Sequence, residues 1–149
     1  MENYSVLMSV YYKEQAENLR EAIDSILNQT VKTNEFIIVK DGPLTEKLDN
    51  TIKEYVEEYP GVFKIVTLKK NMGLAKALNK GIEQCSNEII ARMDSDDISM
   101  PDRMERQLEA MEANRADILS GTIVEFDESV DKPTAKRELP EKNEQIIEF

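Results

Sequence analysis

The 149-residue sequence contains no histidine and no tryptophan, and it has a single cysteine. Without histidine the chain can form neither a histidine zinc site nor a Ser-His-Asp triad, so any acid or base chemistry falls to carboxylates. One cysteine cannot build a disulfide framework, which favours a cytoplasmic protein. We expect that residue, Cys85, to be a small buried side chain on a helix.

Glycine and proline are also scarce, with five residues of each, and no apolar run is long enough for a membrane span or a signal peptide. Charged residues make up 33% of the chain and apolar residues 40%, which is typical of an ordinary globular protein. We therefore expect one cytoplasmic domain with a real core. A longer form of the protein could also associate peripherally with the inner face of the membrane.

Positive charge is in short supply, because 19 basic residues stand against 30 acidic ones and the net charge is −11. This balance argues against nucleic acid as a partner, since binding through phosphates needs clustered lysine and arginine. An anionic ligand would need local help from a bound divalent cation, which reverses the sign of the local field.

Short apolar runs alternate with segments of helical period along the first hundred residues. The runs predict buried strands at residues 5–10, 35–39, 63–68 and 88–93. Helices of ten to fifteen residues are predicted between them, and another, with Met104, Leu108 and Met111, follows the fourth strand. This order is typical of right-handed βαβ crossovers, so we predict an α/β fold with a mostly parallel, Rossmann-like sheet and helices on both faces.

The C-terminal segment is less regular. Residues 118–126 predict a further strand, whereas residues 127–143 are charged and interrupted by proline, which favours a loop or arm. Residues 145–149 have the pattern of an opening amphipathic helix. We therefore expect residues 127–149 to lead into a C-terminal part that this chain lacks, so that the domain is truncated.

Three aspartates, Asp94, Asp96 and Asp97, follow the fourth predicted strand. Ligands of open α/β sheets bind outside the carboxyl ends of the strands, so these acids are expected at a binding edge. In an extended segment Asp94 and Asp96 would face one side and Asp97 the other, which makes the first two candidate ligands for Mg²⁺ or Mn²⁺. The alternative is an acidic turn before the next helix.

The residues after the acids predict how that helix begins. Ser99 stands three positions before Asp102, as in a capping box, and Pro101 falls in the first turn, where its missing N–H costs nothing. The acids are therefore expected in a short, fixed connection between a strand and a helix.

Residues 91–97, followed by residues 100–103, resemble the aspartate (DXD) motif of the family 2 glycosyltransferases, which have the GT-A fold. The resemblance extends over nearly the whole chain. It implies a transferase that moves a sugar from a UDP-sugar to a carbohydrate or lipid-linked saccharide acceptor with inversion, in surface polysaccharide biosynthesis such as that of capsules and exopolysaccharides. It also implies Mn²⁺ or Mg²⁺ as cofactor, with Asp94, Asp96 and Asp97 as the metal set.

The same resemblance implies which residues bind the nucleotide. Asp41 matches the acid that accepts a hydrogen bond from the uracil imide, Tyr11 offers a ring for stacking, and residues 25–30 resemble a structural signature of the first helix. Lys40 and Pro43 depart from the family's second-strand motif, and Leu78 stands where many members have arginine, which leaves Lys69 or Lys76 as candidate phosphate ligands. The full implied nucleotide-binding set is Ser9, Tyr11, Glu14, Asp41, Asn71, Gly73, Asp94 and Ser95.

No catalytic base is predicted within the chain, because the resemblance implies that the base lies after Phe149. Residues 1–149 are therefore expected to bind a nucleotide sugar without transferring it. Two other functions stay open: a sugar nucleotidyltransferase, although Tyr11, Tyr12 and Lys13 do not form its glycine-rich basic loop, and a receiver-like Mg²⁺-binding signalling domain, although the first strand ends without acids. A purely structural acidic module is the third alternative.

Overall fold

The structure, a computed structural model, describes residues 2–127, 129–138 and 140. The chain divides into two compact units, Met1–Glu105 and Arg106–Phe149. The elements in chain order are β1 (Tyr4–Val10), α1 (Ala16–Leu27), β2 (Glu35–Lys40), α2 (Glu46–Glu58), β3 (Phe63–Thr67), α3 (Leu74–Ile82), β4 (Ile89–Arg92), α4 (Arg103–Asn114), β5 (Ile123–Phe126) and β6 (Pro133–Arg137).

The first unit is built on a four-stranded sheet in the order β3-β2-β1-β4, and all its strand pairs are parallel. The central strands β1 and β2 are almost entirely buried, which explains their near-continuous apolar runs. Ser9 pairs in register with Val39, and Leu7 with Arg92. The predicted mostly parallel sheet is therefore confirmed.

Helix α3 covers one face of this sheet. Its Ala77 joins Leu7, Ile37 and Val39 in one buried cluster. Gly81 lets the helix approach closely, because a Cβ at this position would lie 2.3 Å from Cδ1 of Leu7. The same cluster fixes the height of α3 above the β1–β2 pair.

Helices α1 and α2 cover the opposite face. Phe36 alternates with the α3-facing residues of β2, and its ring stacks on Phe63 with centroids 5.0 Å apart. The ring centroid of Tyr55 on α2 lies 6.1 Å from that of Phe63. The hydroxyl of Tyr55 donates a hydrogen bond of 2.5 Å to the carboxylate of Asp24 on α1. The prediction of helices on both faces is thus confirmed.

The second unit differs from the prediction. Strand β5 is shorter than residues 118–126, and it pairs with β6 in a separate antiparallel two-stranded sheet. Residues 133–137 were predicted to be a loop because of their charge and proline, but Pro133 is the first residue of β6, a position where a strand tolerates proline. The predicted helix at residues 145–149 lies outside the described residues.

Two smaller points concern Cys85 and membranes. Cys85 is half-buried and comes after the end of α3, so its predicted place on a helix is wrong; its thiol donates to the carbonyl oxygen of Gly81 at 3.6 Å. Within the described part of the chain, no helix is both long and apolar enough to span a lipid bilayer.

Candidate functional site

Four loops leave the carboxyl edge of the parallel sheet. In three of these loops the first residue donates a backbone hydrogen bond to the carbonyl oxygen of a neighbouring strand. The bonds run from Asp41 to Val10 (2.8 Å), from Leu68 to Lys40 (3.0 Å) and from Met93 to Leu7 (3.0 Å). These bonds extend the sheet into the loops. The residues predicted to bind nucleotide and metal lie in or next to these four connections, at the edge where open α/β sheets bind ligands.

The connection from β4 to α4, residues 93–102, is called the acidic loop below. Its aspartates do not continue the strand: the N–H of Asp97 donates to the carbonyl oxygen of Asp94 at 3.3 Å, which closes a turn. The prediction that Asp94 and Asp96 share one side of an extended segment is therefore wrong. Asp is favoured in turns because its side chain competes for nearby backbone groups, and that preference ends the strand at Arg92.

The acidic loop concentrates negative charge at the surface. Asp96 and Asp97 are exposed and Asp94 is half-exposed, with one of its oxygens 2.6 Å from the guanidinium of Arg92. Partial desolvation, together with the charges of Asp94 and Asp96, raises the pKa of the Asp97 carboxyl, and Arg103 and Arg92 offset part of that rise. The three carboxylates thus repel one another in the ionised state.

These donors fit a hard divalent cation by chemistry, since carboxylate oxygens are the ligands that Mg²⁺ and Mn²⁺ prefer. The described residues include no group of three acidic, histidine or cysteine side chains that could hold a metal ion by themselves. An ion here would therefore be held by one or two carboxylates, with substrate phosphates completing its coordination, as is common for Mg²⁺.

Two residues of the predicted nucleotide-binding set contact each other across the site. Ser95 is buried, and its hydroxyl donates a hydrogen bond to Glu14 in the loop after β1. The other oxygen of Glu14 accepts from the N–H of Gln15 at 2.8 Å and from Asn18 at 3.3 Å. Glu14 therefore ties the acidic loop to the start of α1.

Asp41, predicted to accept a hydrogen bond from uracil, is buried in the loop after β2. One carboxylate oxygen accepts from the N–H of Met72 at 2.7 Å, and the other accepts from the N–H of Gly73 at 3.1 Å. These N–H groups precede α3, where the positive end of the helix favours a negative charge. Asp41 thus has a structural role beside the predicted one, which stays a prediction.

The close contact between the loops after β2 and β3 depends on Gly42. Its φ is +87°, and an added Cβ would lie 2.5 Å from the backbone nitrogen of Asn71, so no larger residue fits. The neighbouring Lys40, which replaces an acid of the family motif, forms an ion pair of 2.5 Å with Asp49 on α2. At this position the chain has an internal ion pair where the motif has an acid.

The remaining predicted residues lie around this edge without mutual contacts among the described hydrogen bonds. Ser9 is half-buried near the end of β1, and Tyr11 is exposed with its ring edge-on to Tyr12 at 5.8 Å. Asn71 and Gly73 are exposed before α3, as are the candidate phosphate ligands Lys69 and Lys76. A cleft of about 510 Å³ includes one residue of the predicted set, Glu14, and is lined by Tyr12, Lys13, Glu14, Gln15, Ala16, Glu17, Thr45 and Lys47.

The predicted helix cap at Ser99 is wrong. Helix α4 begins at Arg103, and residues 101–102 form a turn in which the N–H of Arg103 donates to Met100 at 3.0 Å. The Ser99 hydroxyl instead accepts from the Arg103 guanidinium at 2.9 Å. Arg103 also donates to the carbonyl oxygen of Arg92 at 3.1 Å, so one side chain joins the two ends of the acidic loop.

Sequence reasoning assigned Arg103 to the motif but gave it no role. Its half-buried guanidinium, whose pKa burial lowers, lies beneath the acidic loop and is attracted to Asp97. The signal in the sequence was an arginine directly after the acids and Pro101.

The family model for glycosyl transferase family 2 matches residues 5–148. Among curated proteins, the amylovoran biosynthesis glycosyltransferase AmsE of Erwinia amylovora is 44% identical over 147 residues, which are 98% of this chain and 54% of the relative. The UDP-Gal:alpha-D-GlcNAc-diphosphoundecaprenol beta-1,3-galactosyltransferase of Escherichia coli is 38% identical, over 94% of this chain and 50% of the relative. The chain spans about half the length of these relatives.

Solved structures resemble the chain in fold. The mannosyltransferase PcManGT from Pyrobaculum calidifontis, in complex with GDP-Man and Mn²⁺, matches with a TM-score of 0.66 and 21% identity over 81% of this chain and 34% of that one. TarS from S. aureus, in complex with UDP-GlcNAc, matches with a TM-score of 0.66 and 22% identity over 77% and 32%. These likenesses confirm the predicted GT-A fold. The match of the family model over residues 5–148 shows that the chain belongs to glycosyl transferase family 2.

Proposed function

We propose that this chain is the nucleotide-sugar-binding part of a glycosyltransferase that uses a UDP-sugar in the synthesis of a surface polysaccharide. The observation that supports this most is the acidic loop at the carboxyl edge of the sheet, joined to the loop after β1 by the bond between Ser95 and Glu14. A relative whose printed name includes UDP-Gal, and a solved neighbour with UDP-GlcNAc, support a UDP-sugar in particular.

Asp94 and Asp96 are the residues that would hold a divalent cation in this proposal. Both carboxylates lie in one turn, and their charges already raise the pKa of the neighbouring Asp97 carboxyl. A bound Mn²⁺ or Mg²⁺ would offset the negative charge of a departing diphosphate. The position of the ligand would be fixed by Asp94, Asp96 and the bond between Glu14 and Ser95. The exposed ring of Tyr11 would stack on the nucleotide base.

The test of the proposed ligand is base selectivity. With Mn²⁺ present, UDP should bind more tightly than CDP, because an aspartate can accept from the N3–H of uracil whereas cytosine has no proton there. Asp41→Ala should narrow this difference by about 1–3 kcal/mol, the usual cost of an unpaired buried polar group. Equal calorimetric affinities of UDP and CDP for the unaltered chain would contradict the proposal.

Loss of Asp41 would also remove the partners of Met72 and Gly73. Asp41→Asn is therefore the better variant for selectivity, since its amide oxygen can still accept from one of these N–H groups. Thermal melting of both variants separates the structural effect from the effect on base preference.

Transfer itself is a further proposal, with inversion and a carbohydrate or lipid-linked saccharide as acceptor. A displacement of this kind needs a base within hydrogen-bond reach of the attacking hydroxyl, and we propose no such base among residues 1–149. UDP release from several UDP-sugars, with candidate acceptors present, should be undetectable for this chain and measurable for a longer one. Acceptor-dependent turnover by residues 1–149 would place the base within them, with Asp127, Glu128 and Asp131 as the first candidates, of which Glu128 lies outside the described residues.

The family match argues against the three alternatives. A sugar nucleotidyltransferase would also use a metal at the edge of a sheet, but it would release pyrophosphate from a nucleoside triphosphate and a sugar phosphate. A receiver-like domain would bind Mg²⁺ without a nucleotide, and a structural acidic module would bind neither. The binding experiment with UDP and CDP distinguishes the last two from the proposed function, and an assay for pyrophosphate release from UTP and a sugar phosphate distinguishes the first.

A further inference from the structure

The side chain of Gln29 contacts both the acidic loop and the helix that follows it. Gln29 lies just after α1 and is completely buried. Its amide nitrogen donates to the carbonyl oxygens of Ser25 at 2.9 Å and Met100 at 2.7 Å, and its amide oxygen accepts from the N–H of Met104 at 2.9 Å. The amide therefore uses both of its donors and its acceptor.

Two of these bonds go to backbone groups at the junction between the acidic loop and α4. The N–H of Met104 belongs to the first turn of α4, where an α-helix offers no internal acceptor. The carbonyl of Met100 lies at the end of the acidic loop. Gln29 thus fixes the point at which the loop becomes a helix.

Neighbours of Gln29 hold the adjacent residues of the same loop. The hydroxyl of Ser25 accepts from the N–H of Ser99 at 3.0 Å, and the N–H of Thr30 donates to the carbonyl oxygen of Pro101 at 2.9 Å. Three consecutive loop residues are therefore bonded to the C-terminal end of α1 and its exit. Because these bonds all come from residues 25–30, they fix both the position and the direction of the acidic loop relative to α1.

No other side chain of similar size could replace Gln29 without loss. Glutamate would exchange two donors for acceptors and face the carbonyl oxygens of Ser25 and Met100. Leucine or methionine would leave the buried N–H of Met104 without its acceptor, at a cost of about 1–3 kcal/mol, and the carbonyl oxygen of Met100 with the N–H of Arg103 as its remaining donor.

We propose that Gln29 is a positioning residue for cation and nucleotide binding: it touches no ligand, but it sets where Asp94 and Asp96 lie relative to Glu14. This inference rests on the proposed function of the acidic loop. Coordination of a cation by two carboxylates depends on their separation and direction. Removing a group that orients metal ligands without touching the metal typically changes metal affinity by about 10–100-fold. A loop released at Met100 and Met104 has more backbone freedom to lose on binding.

The experiment compares Gln29→Ala with Glu35→Gln, a change in a buried cluster at the opposite edge of the sheet. Glu35 accepts from Lys64, Ser5 and Ser86 and has no contact with the acidic loop among its described bonds. Both variants should melt at lower temperature. Calorimetry would measure UDP affinity with Mn²⁺ and with chelator, and electron paramagnetic resonance would measure free Mn²⁺ directly.

We expect Gln29→Ala to weaken both Mn²⁺ binding and Mn²⁺-dependent UDP binding about tenfold, while Glu35→Gln leaves both affinities unchanged despite its lower melting temperature. Unchanged affinities in Gln29→Ala would overturn the proposal. An equal loss in Glu35→Gln would also overturn it, because affinity would then follow stability alone.

Ser25→Ala provides a second variant in case Gln29→Ala does not fold. It removes the acceptor for the N–H of Ser99 and the bond that the hydroxyl donates within α1 to the carbonyl oxygen of Ala22; both bonds are half-buried, so the fold should survive. The same criteria apply to it, with a smaller expected loss. If the unaltered chain binds no UDP in the presence of Mn²⁺, the proposed function fails; if the unaltered chain binds and the variants bind equally well, only the positioning role fails.

Discussion

Two acidic regions lie at opposite edges of one parallel sheet, and their carboxylates differ in burial and in hydrogen bonding. At the amino edge, Glu35 is buried at the start of β2 and accepts from Ser5, from Lys64 and from the N–H and hydroxyl of Ser86. At the carboxyl edge, the aspartates of the acidic loop are largely exposed. The difference separates a carboxylate that is held by hydrogen bonds within the fold from Asp94, Asp96 and Asp97, for which we propose a role in binding a ligand.

The direction of each pKa shift expresses this difference. Burial alone would raise the pKa of the Glu35 carboxyl, but the hydrogen bonds from Lys64, Ser5 and Ser86 outweigh burial and lower it to about 2. Desolvation raises the pKa of the Asp97 carboxyl, and the charges of Asp94 and Asp96 raise it further. The protein thus stabilises one charge itself and leaves the other charges in mutual repulsion, which a divalent cation would relieve.

The largest expected effect comes from breaking the Glu35 cluster. Glu35→Ala leaves four donor groups, on Ser5, Lys64 and Ser86, without their acceptor and should lower the free energy of unfolding by roughly 2–4 kcal/mol. This is below the full cost of breaking a buried ion pair, because Lys64 is about half exposed. Urea denaturation measures it, and Lys53→Ala, which removes an exposed helix ion pair, serves as control. A loss no larger than that of the control would contradict the structural role of Glu35.

Asp96→Ala should have the converse result. Because Asp96 is exposed, its removal should leave the melting temperature unchanged, while Mn²⁺-dependent UDP binding weakens by at least about tenfold. Glu21→Ala, which removes one exposed negative charge from α1, controls for net charge. If the two variants bind UDP equally well, Asp96 is not a metal ligand and the contrast between the two edges loses its functional meaning.

Acid should destabilise the fold through Glu35. The pKa of its carboxyl is lower in the folded state than the ordinary value of 4.5. Its contribution to the free energy of unfolding is therefore fully present above pH 4.5 and is lost as the pH falls toward about 2. Glu35→Gln should remove this part of the pH dependence. Melting temperatures recorded between these two pH values test it: equally steep curves for both proteins would assign the acid sensitivity to other carboxylates.

A small effect of opposite sign is expected at Asp97. Its pKa is raised in the folded state, so the charged form is unfavourable at neutral pH and the penalty disappears as the pH falls through that pKa. Asp97→Asn should therefore stabilise the metal-free fold at pH 7 by about 0.5 kcal/mol, a value kept low because the side chain is exposed and screened. The gain should shrink with added salt. A loss of stability would show that attraction to Arg103 dominates.

Most of the fold could be predicted from the sequence because the central strands of the first unit, β1 and β2, are buried on both faces. The apolar runs of β1 and β2 have no other explanation, and the helical spacing between them fixes the order of elements. The weakest predictions concerned exposed strands. In β6 every residue is exposed, so no apolar pattern distinguishes residues 133–137 from a charged loop.

At the site, residue types were predictable but contacts were not. The acids and Asp41 could be located from strand ends, whereas the turn at Asp94 depends on a local preference that competes with strand extension. Gln29 and Met100 stand 71 positions apart, so no local pattern in the sequence connects them. The same holds for Ser95 and Glu14, which are 81 positions apart and meet only because β1 and β4 are neighbours.

The central claim is that the acidic loop binds a nucleotide diphosphate through a divalent cation. The most direct test is a calorimetric titration of UDP into the unaltered chain, first with Mn²⁺ and then with excess chelator. We predict measurable binding with Mn²⁺ and an affinity at least about tenfold weaker with chelator, because the diphosphate then meets uncompensated carboxylates. Equal affinity under both conditions would contradict the claim.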